Sequence, residues 1–341
     1  MKRRLLDIYD ALLLDLDGTV YRGGEAVPGA AQAVRAAREN GTAVRFVTNN
    51  ASRSPQDVAD HLTNLGVSAK PEEVSTSAQA AGTVLSERLQ PGDEVLVVGT
   101  TSLADIVESV GLRPVRSFTE NVKAVVQGLS RDAGYRDLAE ATLAIRAGAL
   151  WVACNMDPTL PTERGELPGN GALVAALRAA TSQEPVVAGK PARPLMDEAI
   201  MSSNANSPLV VGDRLDTDIA GAVTAEVDAL LVLTGVTRPA ELLAAPAWLR
   251  PRYVAASIGD VCGPANGLEI AAQRAWEVDR TDHALTVRCT GNGPSTDELA
   301  LLRALCAAHR PVEGGDILVR AEDDTTRDAL RTLGIARSAV P

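Results

Sequence analysis

An apolar run that ends in two aspartates one residue apart, Leu12-Leu13-Leu14-Asp15-Leu16-Asp17-Gly18-Thr19-Val20, constrains this chain more than any other feature. Such a run reads as a buried strand whose tip carries chemistry, because loops at strand ends build the sites of open α/β sheets. Side chains alternate along a strand, so Asp15 and Asp17 face the same way. One carboxylate can attack a phosphoryl group while its neighbour handles protons. The same pattern also describes a plain polar turn, so it needs company.

Three later segments supply it. Arg45-Phe46-Val47-Thr48-Asn49-Asn50 is a short strand ending in hydroxyl and amide groups. Val186-Val187-Ala188-Gly189-Lys190-Pro191 is a strand and turn with one lysine. Leu209-Val210-Val211-Gly212-Asp213-Arg214-Leu215-Asp216-Thr217-Asp218 is a strand followed by three acids. In this order the four segments resemble the four motifs of the haloacid dehalogenase-type phosphatases, over roughly residues 8 to 240.

The bulk properties fit an enzyme with more than one domain. A chain of 341 residues is long enough for two or three. A net charge of -11 argues against sequence-independent binding to nucleic acid. It leaves a phosphate substrate open, since a metal reverses the local potential. Cys154, Cys262, Cys289 and Cys306 show no metal-ligand spacing, so free thiols are expected. No apolar run has signal-peptide or membrane-span length, so a cytoplasmic location without membrane insertion is expected.

Strand and helix patterns alternate along the chain, which predicts an α/β fold built on a parallel sheet. Ala30–Asn40 reads as a helix ended by a left-handed turn at Gly41, and Ala43–Thr48 as a strand. Ser54-Pro55 reads as an N-cap and first helical residue, with Gly66 as the stop. A second set of alternating elements lies between the Thr48 and Lys190 segments. If the four motifs share one site, this block must leave the first sheet and return. The expected domains are a Rossmann-like core at 1–78 and 185–262, an inserted α/β cap at 79–184, and a small α+β segment at 268–341. Pro239–Arg252 shows few strand signals, and Ile258–Val261 is expected to close the core. The last segment reads ββαβα, with Ser295 as a helix cap. It faintly resembles part of an acetyltransferase-like domain but lacks a clear glycine-rich acyl-CoA loop, which favours a structural or interface role.

The family resemblance assigns roles. It implies Asp15 as nucleophile and Asp17 as general acid and base. Mg²⁺ would be held by Asp15, the Asp17 backbone carbonyl and Asp213, with Asp218 supporting the metal waters or Lys190 from behind. Thr48, Asn49 and Asn50 would donate to phosphoryl oxygens, and Lys190 would supply positive charge. Asp216 is expected at the surface. Glu226 stands where relatives usually carry a helix-ending glycine. The stretch Ala153-Cys154-Asn155-Met156-Asp157-Pro158-Thr159-Leu160-Pro161-Thr162-Glu163-Arg164-Gly165 resembles that of the phosphoglycolate and glycerol-3-phosphate phosphatases, as do the run from Gly212 to Ile219 and the later Leu233-Thr234-Gly235-Val236.

Residues Asn155, Asp157 and Arg164 are the candidate substrate contacts in the cap. Asn155 and Asp157 either bind hydroxyls or stabilise the turn before Pro158. The expected substrate is a small phosphomonoester, glycerol 3-phosphate or 2-phosphoglycolate. Pyridoxal phosphate and nucleotide phosphatases share most of these residues, and a non-catalytic phosphometabolite-binding protein is the contrasting reading. The resemblance also implies a homodimer formed through the cap.

Overall fold

The computed structural model describes residues 3–162, 164–281, 284–291 and 297–335. The chain forms two compact units, Met1–Val44 with Ala205–Pro341, and Arg45–Asn204.

In the first unit, four parallel strands run side by side in the order Tyr253–Ala255, Asp228–Val232, Pro208–Gly212, Ala11–Leu14. Every residue of Ala11–Leu14 is buried. That fits its unbroken apolar sequence, because a parallel strand is covered on both faces. Helix Ala30–Glu39 buries Ala30, Ala33, Val34 and Ala37, and Gly41 follows at φ 79°. The expected left-handed stop is therefore present.

The edge strand, Tyr253–Ala255, lies just beyond the stretch with few strand signals and has no place in the sequence reading, and Ile258–Cys262 is a 3₁₀ turn. Pro239–Ala244 is a short helix with proline at its start. Three residues make too short a run for period-two alternation to register.

The C-terminal ββαβα order holds. Trp276–Arg280 pairs antiparallel with Ala284–Cys289, which pairs parallel with Leu318–Ala321. Helix Glu298–Ala308 is capped by Asp297, whose carboxylate accepts from the Ala300 N–H at 3.1 Å. Ser295 lies outside the described residues. This segment belongs to the first unit. Arg303, on that helix and buried, donates from Nε to the Val254 carbonyl at 2.9 Å, while the Val254 N–H donates to Leu268 O at 2.8 Å. An exposed strand edge is a template for unwanted pairing. Here the edge's backbone groups are taken up by the C-terminal residues.

In the second unit, Phe46–Thr48 pairs parallel with Val74–Thr76. Ser54 caps helix Pro55–Asn64 through Asp57, as its sequence predicts. Thr76 caps helix Ser77–Ser86, which the sequence reading does not contain. Its Ser-Ala-Gln-Ala-Ala-Gly start offers no large apolar stripe. A five-stranded parallel sheet follows, in the order Val186–Val187, Leu150–Ala153, Val122–Gln127, Glu94–Val98, Arg113–Val115. Helices Tyr135–Arg146 and Asn170–Thr181 pack on it around Leu96, Val125, Ile145, Trp151, Val174 and Leu177. Thr159–Thr162 and Gly165–Pro168 form a hairpin where the sequence suggested only a loop.

Candidate active site

Strands Ala11–Leu14 and Pro208–Gly212 are neighbours, with Leu14 opposite Val211 and the Asp15 N–H donating to Val211 O at 2.9 Å. Both run the same way, so Asp15 and Asp213 leave the sheet side by side at its carboxyl end. Asp218 joins them from the π-helical turn Leu215–Ile219. One carboxylate oxygen from each of Asp15, Asp213 and Asp218 lies within 4.8 Å of the others. Asp213 and Asp218 are almost fully buried, at 0% and 1% exposure.

Glycines make this cluster possible. A Cβ on Gly18 would stand 2.5 Å from Asp213 Oδ2, and one on Gly235 would stand closer still. Gly212 meets Asp218 in the same way. Gly18 also takes φ 91°, a conformation that costs other residues. The Val236 N–H donates to Asp213 Oδ2 at 2.6 Å, the Arg214 N–H to Asp218 Oδ2 at 3.1 Å, and Thr234 Oγ1 to the Gly18 carbonyl at 2.5 Å. Asp216 instead pairs with Arg214 at 2.7 Å and faces outward, as expected.

Three close carboxylates, two of them out of water, repel one another unless a cation lies among them. Hard oxygen donors in this number suit a divalent ion of the Mg²⁺ kind. The residues present fit that group. Asp17 is exposed, yet enough protein surrounds it for desolvation to raise its carboxyl, with Arg22 pulling it down.

The second unit gathers another set of predicted residues. Lys190 is buried, at 3% exposure, and its ammonium donates to the Val47 carbonyl at 3.0 Å. Thr48 Oγ1 accepts from the Asn50 N–H at 3.1 Å, which leaves its proton to donate. Asn50 Oδ1 is occupied by the N–H and hydroxyl of Ser52, at 2.8 and 2.7 Å. The side chain of Asn49 clamps the Lys190 peptide. Its Oδ1 accepts from Lys190 N at 2.7 Å and its Nδ2 donates to Lys190 O at 3.0 Å. That amide also reaches Asp157 Oδ2 at 3.2 Å.

Asn155 Nδ2 donates to the Asn49 carbonyl at 2.7 Å, and its Oδ1 accepts from the Asp157 N–H at 3.2 Å. Asn155 and Asp157 thus join the Lys190 cluster. Arg164 does not. It is exposed at the hairpin turn, and its side chain makes no hydrogen bond among the described residues. The sequence reading gave no role to Gly18 or Gly235, though both fall in its motif stretches, and it missed Ser77, whose hydroxyl donates to Asn49 O at 2.6 Å. Gly18, directly after Asp17, was the available signal; Gly235 has no acid beside it in sequence.

The haloacid dehalogenase-like hydrolase model matches residues 12–113, and a second hydrolase-like model of that type matches 187–261. A GCN5-related N-acetyltransferase-like domain model matches 273–335, the segment with the faint acetyltransferase resemblance. The chain is 47% identical over 342 residues to a D-glycerol 3-phosphate phosphatase of Mycobacterium tuberculosis, covering 98% of this chain and 96% of that one. It is 38% identical over 236 residues to an acid sugar phosphatase of Staphylococcus saprophyticus, covering 69% and 90%. The crystal structure of a glycerol phosphate phosphatase from Mycobacterium tuberculosis in complex with magnesium superposes with a TM-score of 0.92 at 47% identity, covering 98% of this chain and 100% of that chain. Motif order, strand-end acids and these likenesses agree: the chain belongs to the haloacid dehalogenase-like hydrolase family.

Proposed function

We propose that this chain is a divalent-metal-dependent phosphomonoesterase whose substrate is glycerol 3-phosphate. The observation that carries the reading is the cluster of Asp15, Asp213 and Asp218 at the ends of adjacent parallel strands, with Asp17 two residues from Asp15. The substrate rests on the 47% identity, over nearly the whole of both chains, to a D-glycerol 3-phosphate phosphatase.

Asp15 and Asp213, with the backbone carbonyl of Asp17, would hold Mg²⁺, and Asp218 would steady them. The bound ion supplies charge that offsets the repulsion between Asp15 and a dianionic phosphate. The Asp15 carboxylate attacks phosphorus, and the bond from phosphorus to the glycerol oxygen breaks. Asp17 gives its proton to that departing oxygen. Asp17 then takes a proton from water, whose oxygen attacks the phosphorus of the aspartyl-phosphate. Inorganic phosphate leaves and Asp15 is restored, so one hard displacement becomes two easier ones.

Thr48, Asn50 and Lys190 take the roles the family motifs imply for them, holding phosphoryl oxygens. For Asn49 the side chain is already committed to Lys190, so its contribution comes through that lysine. The core at 1–78 with 185–262, the cap at 79–184 and the C-terminal segment at 268–341 remain our division of the chain, except that strand Val186–Val187, expected to resume the core sheet, pairs with Leu150–Ala153 of the cap sheet instead. A homodimer through the cap and a cytoplasmic location complete the reading; sedimentation of full-length protein against a cap-surface variant tests the first, and cell fractionation the second.

The decisive experiment measures phosphate release from glycerol 3-phosphate, 2-phosphoglycolate, pyridoxal phosphate and a nucleoside monophosphate, with Mg²⁺ and with EDTA. Mg²⁺-dependent release that is greatest on glycerol 3-phosphate and lost in Asp15→Asn is the expected result. Greater release from another member would reassign the substrate. No release above the Asp15→Asn background would favour a binding protein.

A further inference from the structure

The segment Cys154–Asp157 is seated by close backbone approach on several sides. A Cβ on Gly189 would stand 2.5 Å from the Cys154 carbonyl oxygen and 2.6 Å from Asn49 Oδ1. Cβ atoms on Gly169 and Gly171 would collide with the carbonyls of Asp157 and Met156. The segment therefore has little freedom to shift.

Within that seat, amides form a continuous chain. Asn170 Nδ2 donates to the Asn155 carbonyl at 2.8 Å. Asn155 Nδ2 donates to the Asn49 carbonyl at 2.7 Å. The Asn49 side chain then holds both the N–H and the carbonyl of Lys190. Asn170 and Asn155 are buried, at 1% and 6% exposure. Breaking the Asn155–Asn49 link would leave the buried Asn155 amide unpaired and the Asn49 carbonyl held by the Ser77 hydroxyl alone, so the link resists opening. The ammonium of Lys190 is anchored on Val47, two residues before Asn49 on the same stretch of chain.

We propose that Asn155 and, behind it, Asn170 are positioning residues for Lys190, acting through Asn49, and that Asn155 is not a ligand for substrate hydroxyls. Both ends of the Asn155 side chain are already engaged, Nδ2 by Asn49 and Oδ1 by the Asp157 N–H. Asn155 is also buried, at 6% exposure, so a substrate hydroxyl has little access to the remaining donor and lone pair. The consequence is specific. Loosening this chain acts at the phosphoryl end, which every substrate shares, and not at the leaving group. The proposal rests on the phosphoryl-holding role given to Lys190 above.

The test compares Asn155→Ala and Asn170→Ala with wild type on glycerol 3-phosphate and on p-nitrophenyl phosphate, with Mg²⁺ saturating. A misplacement near one ångström typically costs on the order of 100-fold in rate. Asn155→Ala is expected to lower kcat by roughly 10- to 100-fold on both substrates, with KM changed less than about threefold. Asn170→Ala, one link further out, is expected to show the same pattern in weaker form, and it reports if Asn155→Ala fails to fold. A KM rise confined to glycerol 3-phosphate would make Asn155 a substrate ligand and overturn the proposal. Unchanged kcat on both substrates in folded variants would overturn it as well. If wild type hydrolyses only the aryl phosphate, the glycerol 3-phosphate assignment fails, and the kcat of the variants on the aryl ester still decides this one.

Discussion

Gly235 offers the sharpest probe of the acidic cluster, because its substitution perturbs one carboxylate without removing any charged group. A methyl group there would stand closer to Asp213 Oδ2 than the 2.5 Å found for Gly18, whereas real Cβ atoms keep at least 3.0 Å from their neighbours. The Asp213 carboxylate, or the chain beneath Gly235, must therefore yield by more than the 0.5 Å between those values. Gly235 does not occupy a left-handed conformation, so Gly235→Ala tests space alone, which Gly18→Ala at φ 91° cannot do.

Metal–ligand distances tolerate only about 0.2 Å of error, and Mg²⁺ demands near-octahedral geometry. The displacement is well beyond that tolerance. It also strains the 2.6 Å bond that the Val236 N–H gives to the same oxygen. Disturbing groups that orient metal ligands typically costs about 10- to 100-fold in affinity, equivalent to roughly 1.4 to 2.7 kcal/mol. The Mg²⁺ concentration for half-maximal phosphate release should rise by that factor in Gly235→Ala. A parallel melt in EDTA shows whether the fold survives. An activation midpoint within about twofold of wild type, in a folded variant of unchanged kcat, would refute the placement of Asp213 at the metal.

Two stability predictions follow from groups away from the acidic cluster. Burial pushes the Glu198 carboxyl from 4.5 up to about 7 against the pull of Arg45, so the folded chain holds this proton after the unfolded chain has released it. Its penalty is absent below about pH 4.5 and grows as pH rises through about 7, to a ceiling near 3 kcal/mol; Glu198→Gln should flatten that part of the loss in urea titrations from about pH 5 to 8, and a wild-type-to-variant gap that does not change with pH would reject the assignment. Glu226 follows helix Ala220–Thr224 at φ 60°, where a non-glycine residue typically costs about 1 kcal/mol, so Glu226→Gly should raise the melting temperature by a few degrees with turnover unchanged. An equal or lower melting temperature would show that the Glu226 side chain repays its backbone conformation.

That glutamate also shows what a sequence can reveal. Its mismatch with the usual helix-ending glycine predicted a backbone irregularity, and the chain takes the left-handed turn regardless. The Val227 N–H closes on Ala222 O at 3.0 Å, a tertiary-independent helix stop. Asp15 and Asp213 were legible for a similar reason, while Asp218, in the turn Leu215–Ile219, was given by the family resemblance. Asp15 and Asp213 each follow an apolar strand, and in a parallel sheet neighbouring strand ends leave on the same side. Local pattern plus one topological rule places them together.

The unread features depend on what approaches from elsewhere in the chain. Gly235 looks like any turn glycine until Asp213, 22 positions earlier, lies against it. Asn49 carries the residue type of a phosphate ligand, yet its amide is satisfied by Lys190, 141 positions away. The first six residues of helix Ser77–Ser86 are small or polar, which lets another element come close. A Cβ at its Gly82 would stand 2.8 Å from Ile106 Cγ2. Periodicity reports which face of an element is buried, and it is silent on how closely the neighbour comes. Where the neighbour is a carboxylate or a peptide, glycine and asparagine are the residues that meet it. In this chain Gly18, Gly212 and Gly235 meet carboxylates in that way, and Asn49 meets the Lys190 peptide.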